Sequence, residues 1–434
     1  MRIRFAGILS AVVLEAASSL SAQVSNSTGK TADSPVLQTA VTGRISASGL
    51  NDPQYVLSFI PVQRLLLRAT ERCLTQSEIQ KGLLDTPILL THLLRLGLLR
   101  ESENTYCLNY LLLTVQDQEA IYKVGAHYGQ SLATDFRAHK HEFDEIVVQY
   151  PNADLRSQLL FDLIAGVSMN WRGLDLTTEL GYRIQPPHHE NGDVYFVHSN
   201  EVGAHLDLAG LYFDSETAPG TKMSFSTFGD GDSLPRLLGL PDVFDGVETA
   251  TDSWRNTPDV FGALRSEYVT YILLALDDAG QVMDAVRNGN DTDATIAKAV
   301  TIPEDRRKAT LGLLTALGYL RMAGNQHYVI GVPILGERDK ALVDESTKIS
   351  RTIMTEWLQK NYPLMKKDLV TLSPMRNGVP FSLAFSEVWH YVFGFAAKSL
   401  AESGFYANPR TSGSRYEGYF PLVWKTGLLK APGN

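Results

Sequence analysis

Imidazole and carboxylate side chains are concentrated between residues 188 and 207, where their types could support metal chemistry. The set comprises His188, His189, Glu190, His198, His205 and Asp207. Imidazole nitrogens and carboxylate oxygens are ligands that zinc and similar ions take from proteins. His205 and Asp207 would point to one face of a strand, and a neighbouring hairpin strand could bring His198 beside them. These three residues define a metal-dependent enzyme as one hypothesis, and a solvated turn is the alternative.

Three consecutive cations, Arg306, Arg307 and Lys308, could contact nucleic acid. They lie in the N-terminal part of an apolar helix. In a recognition helix, this N-terminal part enters the major groove. The formal net charge of −9 disfavours a phosphate backbone as the partner. A DNA-binding transcriptional regulator is therefore an alternative hypothesis, beside a solvated helix face.

The chain lacks the sequence signatures of common catalytic sites. It contains no GxSxG, P-loop, HExxH or CxxC pattern. The segment from His141 to Glu145 has a carboxylate where a zinc helix would have its second histidine. We therefore predict no catalytic residue outside the metal hypothesis, and no cofactor.

The elements that must position these residues include a segment that occurs twice, at 74–108 and 295–330. Each copy has a short polar helix, a turn and an apolar helix, which ends in a Leu-Gly-aromatic/aliphatic-Leu-Arg step. A polar hairpin tip and a strand with Tyr106 or Tyr328 follow. This order resembles the winged-helix superfamily, in two tandem copies. The resemblance implies a three-helix core with a β-wing, but no particular activity.

The second copy is also similar to the N-terminal dimerisation domain of small-molecule O-methyltransferases. In that family the winged helix serves protein–protein contact. No glycine-rich S-adenosylmethionine loop follows either copy here, so the methyltransferase activity is not implied. The resemblance implies a winged helix that contacts protein rather than DNA.

Local signals place helices and strands along the chain. Thr75 and Glu78 predict a capping box, and Pro87 follows a cap at Asp85 or Thr86. Apolar periodicity predicts helices over 53–72, 116–150 (one helix or two), 155–180, 258–288, 338–362 and 381–403. Period-two alternation predicts a small antiparallel sheet with strands near 194–198, 205–208 and 223–226, and a further strand over 416–424.

The fold class predicted from these elements is mainly α with small antiparallel sheets, in two tandem winged-helix-containing halves. The predicted segments are a signal peptide (1–22), a flexible linker (23–50), a first winged-helix domain with a long helix (51–150), a helix with a small sheet (151–246), a second winged-helix domain (247–372) and a C-terminal helix and strand (373–434). Two like halves most simply pair about a pseudo-twofold axis, which would allow the chain to act as a monomer.

The first residues have the pattern of an export signal. Arg2 and Arg4 precede an apolar run over 5–14, and small residues lead to a cleavage point after Ala22. No run is long enough to span a membrane. The expected location is outside the cytoplasm, and a cytoplasmic protein with an amphipathic first helix is the alternative.

The chain has two cysteines: Cys73 lies just before the predicted first strand of the first copy, and Cys107 lies in the strand that returns from the wing. In a winged helix these two strands pair antiparallel, which brings the residues within the Cα separation of about 5.5 Å that a disulfide requires. Export would supply an oxidising compartment. We predict a bridge, and two buried free thiols are the alternative.

Our first functional hypothesis is an exported, non-enzymatic scaffold that binds another protein or a small ligand. Hydrophobic content of 44% and charged content of 20% are those of an ordinary globular protein. The DNA-binding regulator and the metal-dependent enzyme are kept as the two alternatives.

Overall fold

The computed structural model describes residues 34–44, 48–83, 87–187, 193–230, 277–324, 326–411 and 418–429, and this part of the chain is mainly helical with small sheets. Its helices are α1 (Pro53–Leu57), α2 (Ile60–Arg68), α3 (Gln76–Gly82), α4 (Pro87–Arg95), α5 (Val115–Ala138), α6 (Lys140–Val147), α7 (Arg156–Phe161), a π-helix (Asp162–Arg172), α8 (Gly173–Glu179), α9 (277–287), α10 (Asp293–Ala299), α11 (Glu304–Ala316), α12 (Lys340–Asp368), α13 (Ser373–Arg376) and α14 (Phe381–Glu402).

The strands fall into four small sheets within the described residues. They are β1 (Leu37–Arg44), β2 (Leu74–Thr75), β3 (Leu99–Ser102), β4 (Thr105–Leu108), β5 (Leu111–Leu113), β6 (Val194–Glu201), β7 (Asp214–Pro219), β8 (Met223–Gly229), β9 (Leu320–Ala323), β10 (His327–Ile330), β11 (Ile334–Leu335) and β12 (Tyr419–Lys425). The orders are β1-β6-β5, β2-β4-β3, β10-β9 and β11-β12-β8-β7.

The helices predicted from apolar periodicity are present where the structure describes their residues, and some are divided; of the predicted range 258–288, residues 258–276 lie outside the described part of the chain. The range 53–72 divides between α1 and α2, where Pro61 in the first turn of α2 has no N–H to continue the preceding helix. The range 116–150 divides at His139 between α5 and α6. The predicted capping box is confirmed, since the Thr75 hydroxyl accepts from the Glu78 N–H and the Glu78 carboxylate accepts from the Thr75 N–H.

Three predictions about extended segments are wrong. Residues 205–208 form a loop, and the strand that pairs with β8 is β7 instead. The predicted single sheet is two sheets, because β6 pairs with β1 and β5 whereas β8 pairs with β7 and β12. Residues 37–44, expected in a flexible linker, form β1.

Backbone hydrogen bonds along its whole length hold β1 in place, and Leu37 is its buried apolar residue. All eight of its residues pair antiparallel with β6, from Leu37 opposite Glu201 to Arg44 opposite Val194. The Gln63 side-chain oxygen also accepts from the Leu37 N–H at 3.1 Å. Paired backbone groups can therefore order a strand whose composition indicated disorder.

The described chain forms two compact units, and each is assembled from three separate stretches. The first unit contains the described residues up to 137 together with those of 169–213 and 351–399. The second contains the described residues of 138–168, of 214–350 and from 400 onward.

In the first unit, α2, α3 and α4 surround the β2-β4-β3 sheet, and their apolar faces form one core. Its fully buried members include Leu66, Leu93, Leu98 and Leu108. Gly97 turns the chain from α4 into β3 with a φ of +70°, a conformation that favours glycine.

The long helices of the first unit approach each other closely where α5 carries glycine. A Cβ added at Gly125 would lie 2.4 Å from the Cβ of Tyr391, and one at Gly129 would lie 2.6 Å from the Cβ of Phe395. Only a residue without a side chain permits this separation of α5 and α14. Helix α14 carries several residues of the candidate site described below.

The second unit contains the same succession of elements. Helices α9, α10 and α11 precede the β9-β10 hairpin, and β11 then pairs in parallel with β12, as β5 pairs with β6 in the first unit. In place of a strand like β2, the Asp291 carbonyl accepts a single hydrogen bond from the Tyr328 N–H. No helix of the described residues has the length and hydropathy to cross a membrane.

Candidate functional site

The disulfide predicted from the sequence is present. Cys73 and Cys107 are bonded with an S–S distance of 1.95 Å and Cα atoms 4.2 Å apart. The next residue along the chain, Leu74, pairs with Tyr106, so the two cysteines lie at opposite positions of the paired strands. The bridge closes the segment that contains α3, α4 and the β3-β4 hairpin.

The three cations proposed for DNA contact form intramolecular ion pairs in the second unit. Arg306 donates from Nε and Nη2 to the buried Asp278 of α9 at 2.9 and 2.5 Å. The other two pairs are Arg307 with Asp293 at 3.0 Å and Lys308 with Glu304 at 2.6 Å. The first two pairs attach α11 to α9 and α10, so these charges act within the fold.

The residues of the metal hypothesis are not brought together as the sequence suggested. His205 and Asp207 are exposed on a loop, where Asp207 Oδ1 accepts from the Ala209 N–H at 3.2 Å. His188, His189 and Glu190 lie outside the described residues. Within the described ranges, no three His, Cys, Asp or Glu side chains are placed to hold a metal ion.

His198 instead belongs to a group of ionisable side chains that the sequence did not reveal. This group, the polar cluster, consists of Arg172, Asp175, Arg183, His198, Glu387 and His390. Its members come from β6, α14 and the π-helix–α8 region of the first unit. No sequence motif could reveal it, because its residues span more than two hundred positions without regular spacing.

Backbone contacts fix Arg183 between α8 and α14. After Gly181, whose φ is +72°, the N–H groups of Tyr182 and Arg183 both donate to the Thr177 carbonyl, at 2.9 and 3.0 Å. The Ile184 N–H then donates to the Ser382 carbonyl of α14 at 3.4 Å. The position of Arg183 is thus determined by the end of one helix and the beginning of another.

His390 is half-buried and favours its neutral form. Burial lowers its pKa, and Arg183 and His198 lower the pKa further, whereas Glu387 raises it. Its Nδ1 lies 2.7 Å from the Ser386 carbonyl oxygen, which only accepts hydrogen bonds. Nδ1 therefore carries a proton, and Nε2 is the nitrogen left to contact other groups.

The two arginines of the polar cluster have hydrogen-bonding capacity to spare. The Nε–H groups of Arg172 and Arg183 are buried and have no hydrogen-bond partner in the described part of the chain. Burial lowers the pKa of Arg183, and the nearby Asp175 raises it. Arg183 and Asp175 do not, however, form an ion pair within 4.0 Å. The adjacent Glu179, in contrast, pairs with Arg351 at 2.5 Å.

A groove with aromatic walls lies in the same unit, with a volume of about 600 Å³. This aromatic groove is lined by Leu180, Gly181, Tyr182, Tyr362, Lys366, Val370, Met375, Val379, Pro380, Phe381 and Ser382. The rings of Tyr182 and Tyr362 are stacked, with centroids 4.0 Å apart and planes 13° apart. The Tyr362 hydroxyl donates to the Tyr182 carbonyl at 3.3 Å, which fixes this wall.

The aromatic groove combines a preformed apolar wall with one cation. Phe385 supports Tyr362 edge-on at a centroid distance of 4.8 Å. The apolar Val370 is 61% exposed beside it, and the Lys366 side chain is also exposed. A volume of this size is in the range of small-molecule sites.

A buried carboxyl group distinguishes the second unit. Asp162, the first residue of the π-helix, is 0% exposed, and neither of its oxygens has a hydrogen-bond partner in the described residues. Burial raises its pKa well above the ordinary value, which favours the protonated form. The π-helix is packed against β8, where a Cβ on Gly166 would meet the Phe228 ring at 2.3 Å.

Comparison of the chain with protein-family models, with curated proteins and with solved structures finds no match.

Proposed function

We propose that this protein is an exported, non-enzymatic binding protein whose aromatic groove takes a small apolar molecule. The observation that carries this proposal is the groove itself, with its stacked Tyr182–Tyr362 wall. Stacked rings present a rigid apolar surface, so little conformational freedom is lost when a ligand contacts them. Exposed Val370 extends that surface beyond the rings.

The scaffold of this binding protein would be a duplicated winged helix. The proposal is supported by the shared succession of helix, short helix, longer helix and hairpin in the two units, and by the parallel strand pairing that follows each hairpin. The ion pairs of Arg306, Arg307 and Lys308 support use of these modules for packing rather than for DNA, because neutralised cations attract phosphates weakly.

Export is the third part of the proposal. Its support is the charged and apolar pattern of the first 22 residues together with the Cys73–Cys107 bridge. Disulfides persist in oxidising compartments and are rare where thiols are kept reduced. An alkylation assay on unreduced, unfolded protein from the native compartment tests this part; two labelled thiols would contradict it.

Titration with the neutral apolar fluorophore N-phenyl-1-naphthylamine tests the groove. We expect saturable binding by the native chain and about tenfold weaker binding by Tyr362→Ala, because a wall of the groove is lost. Tyr362→Phe keeps the ring and should bind nearly as the native chain does.

The control for this titration is Tyr55→Ala, since Tyr55 is 48% exposed and lies outside the groove. This variant should bind as the native chain does. Equal affinity of Tyr362→Ala and the native chain, with unfolding midpoints that show both are folded, would contradict the proposed groove.

A further inference from the structure

We infer that the polar cluster is a second binding site of the first unit, which takes an oxyanion group such as a carboxylate or a phosphate. The inference goes beyond the proposed function, because it concerns different residues and a different ligand chemistry from the aromatic groove. It rests on the arrangement of the donors in the cluster and on their lack of partners.

The cluster is a convergence of separate elements and not the solvated face of one helix. Arg183 is held between α8 and α14 by backbone hydrogen bonds, His198 projects from β6, and His390 lies on α14. Phe213 contacts the His390 ring edge-on at a centroid distance of 6.4 Å and forms part of the surroundings. Arg183, His198 and His390 are all half-buried.

The cluster offers hydrogen-bond donors in excess. The buried Nε–H groups of Arg172 and Arg183 have no acceptor in the described residues. A buried donor without an acceptor costs free energy, so such groups are rare unless a ligand or water satisfies them. The planar guanidinium fork matches the two oxygens of a carboxylate or phosphate, which makes an oxyanion the fitting acceptor.

The charges around the donors leave room for an anion. Asp175 and Glu387 are the carboxylates near the two arginines and two histidines, and neither forms an ion pair within 4.0 Å in the described part of the chain. Glu179 is already neutralised by Arg351. The guanidinium groups therefore make no direct ion pair with these carboxylates, although Asp175 lies near enough to raise the pKa of Arg183, and protonation of His390 would add positive charge.

Thermal unfolding with added phosphate, sulfate or acetate, against chloride at equal ionic strength, tests the inference. Phosphate or acetate should raise the unfolding midpoint of the native chain by mass action. In Arg183→Gln the affinity measured by calorimetry should fall about tenfold or more, as expected for loss of a charged hydrogen-bonding group. Arg183→Lys keeps the charge without the fork and should fall between the two.

Arg321→Gln is the matched control, because Arg321 is an exposed arginine of β9 in the second unit. It should respond to the anions as the native chain does. Stronger stabilisation by phosphate indicates a phosphate site, and stronger stabilisation by acetate a carboxylate site. An equal rise in the midpoint for all variants would overturn the inference, since it indicates a general salt effect.

Two further readouts keep the test independent of folding and of the groove. Without anion, Arg183→Gln should unfold at the native midpoint or above it, because it removes a half-buried donor that has no partner. A markedly lower midpoint would show a structural role and count against a ligand site. Binding of N-phenyl-1-naphthylamine should be unchanged in Arg183→Gln, so failure of the anion site and failure of the groove remain distinguishable.

Discussion

Removal of the Cys73–Cys107 bridge should selectively destabilise the segment of the first unit that lies between the two cysteines. The bridge joins residues that are 34 positions apart. On the chain-entropy relation, a loop of this length stabilises the folded state by about 3.8 kcal/mol at 25 °C. We therefore expect Cys73→Ala/Cys107→Ala to lower the free energy of opening for the segment between them by up to about this amount.

Hydrogen exchange measures this effect locally and supplies an internal control. The most protected amides of α4 and β4 should exchange up to about 600-fold faster in the double variant. Amides of α11 and β10, in the corresponding module without cysteines, should keep their rates. Reduction of the native chain should reproduce the change, whereas the double variant should be insensitive to reductant.

Two outcomes would refute this reasoning. Unchanged exchange between residues 74 and 106 would show that the bridge adds nothing to a module already held by its core. Equal acceleration in α4 and α11 would show that the bridge acts on global unfolding rather than on its own segment.

Three other predictions test the packing and electrostatics. Gly129→Ala should lower the free energy of unfolding by about 1–3 kcal/mol, because its Cβ would lie 2.7 Å from the Val392 carbonyl, whereas Gly312→Ala, with nothing within 4 Å, should raise it by about 0.5–1 kcal/mol; urea unfolding measures both. Asp162→Asn should remove part of the pH dependence of stability. Because the pKa of Asp162 is raised in the native state, the native chain loses stability as the pH rises above the ordinary carboxyl pKa of about 3.9. The stability of the asparagine variant should therefore rise relative to that of the native chain from pH 4 to 8, and a constant difference would contradict the burial of the carboxyl. Lys366→Gln should weaken binding of the anionic fluorophore 1-anilinonaphthalene-8-sulfonate by about two- to fivefold without affecting binding of the neutral N-phenyl-1-naphthylamine. Lys367→Gln, outside the groove, should change the binding of neither fluorophore. Equal effects of the two substitutions would contradict a specific role for Lys366.

Local signals in the sequence predicted local structure well. The Thr75–Glu78 capping box is recognisable because its two partners lie three residues apart. The Leu96-Gly97 step marks the end of α4 as predicted, and Gly97 follows the helix with a positive φ. The Cys73–Cys107 bridge could be predicted from the sequence because the winged-helix resemblance specified which strands pair.

Features that depend on distant partners were not predictable in the same way. The strand β1 contains few large apolar residues, and its order comes from β6, more than 150 residues further along the chain. The alternation over 205–208 predicted a strand, but that loop has no pairing partner in the described sheets. Alternation indicates that a strand is possible, and only an available neighbour makes it form.

The aromatic groove and the polar cluster also depend on residues that are far apart in the sequence. Tyr182 and Tyr362 stack across 180 positions, and His198 lies near His390 across a still longer separation. Neither pair has a spacing that a helix or strand period would reveal. The sequence drew attention to His198 because of its chemistry, but it assigned the wrong neighbours, His205 and Asp207.

Native mass spectrometry of the chain recovered from its own compartment tests the central claim most directly. We predict a chain that begins at Gln23, is two hydrogens lighter than its fully reduced form, and carries one small-molecule adduct whose occupancy is reduced in Tyr362→Ala. A chain that begins at Met1 with both thiols free, and no adduct on either the native chain or Tyr362→Ala, would contradict an exported binding protein.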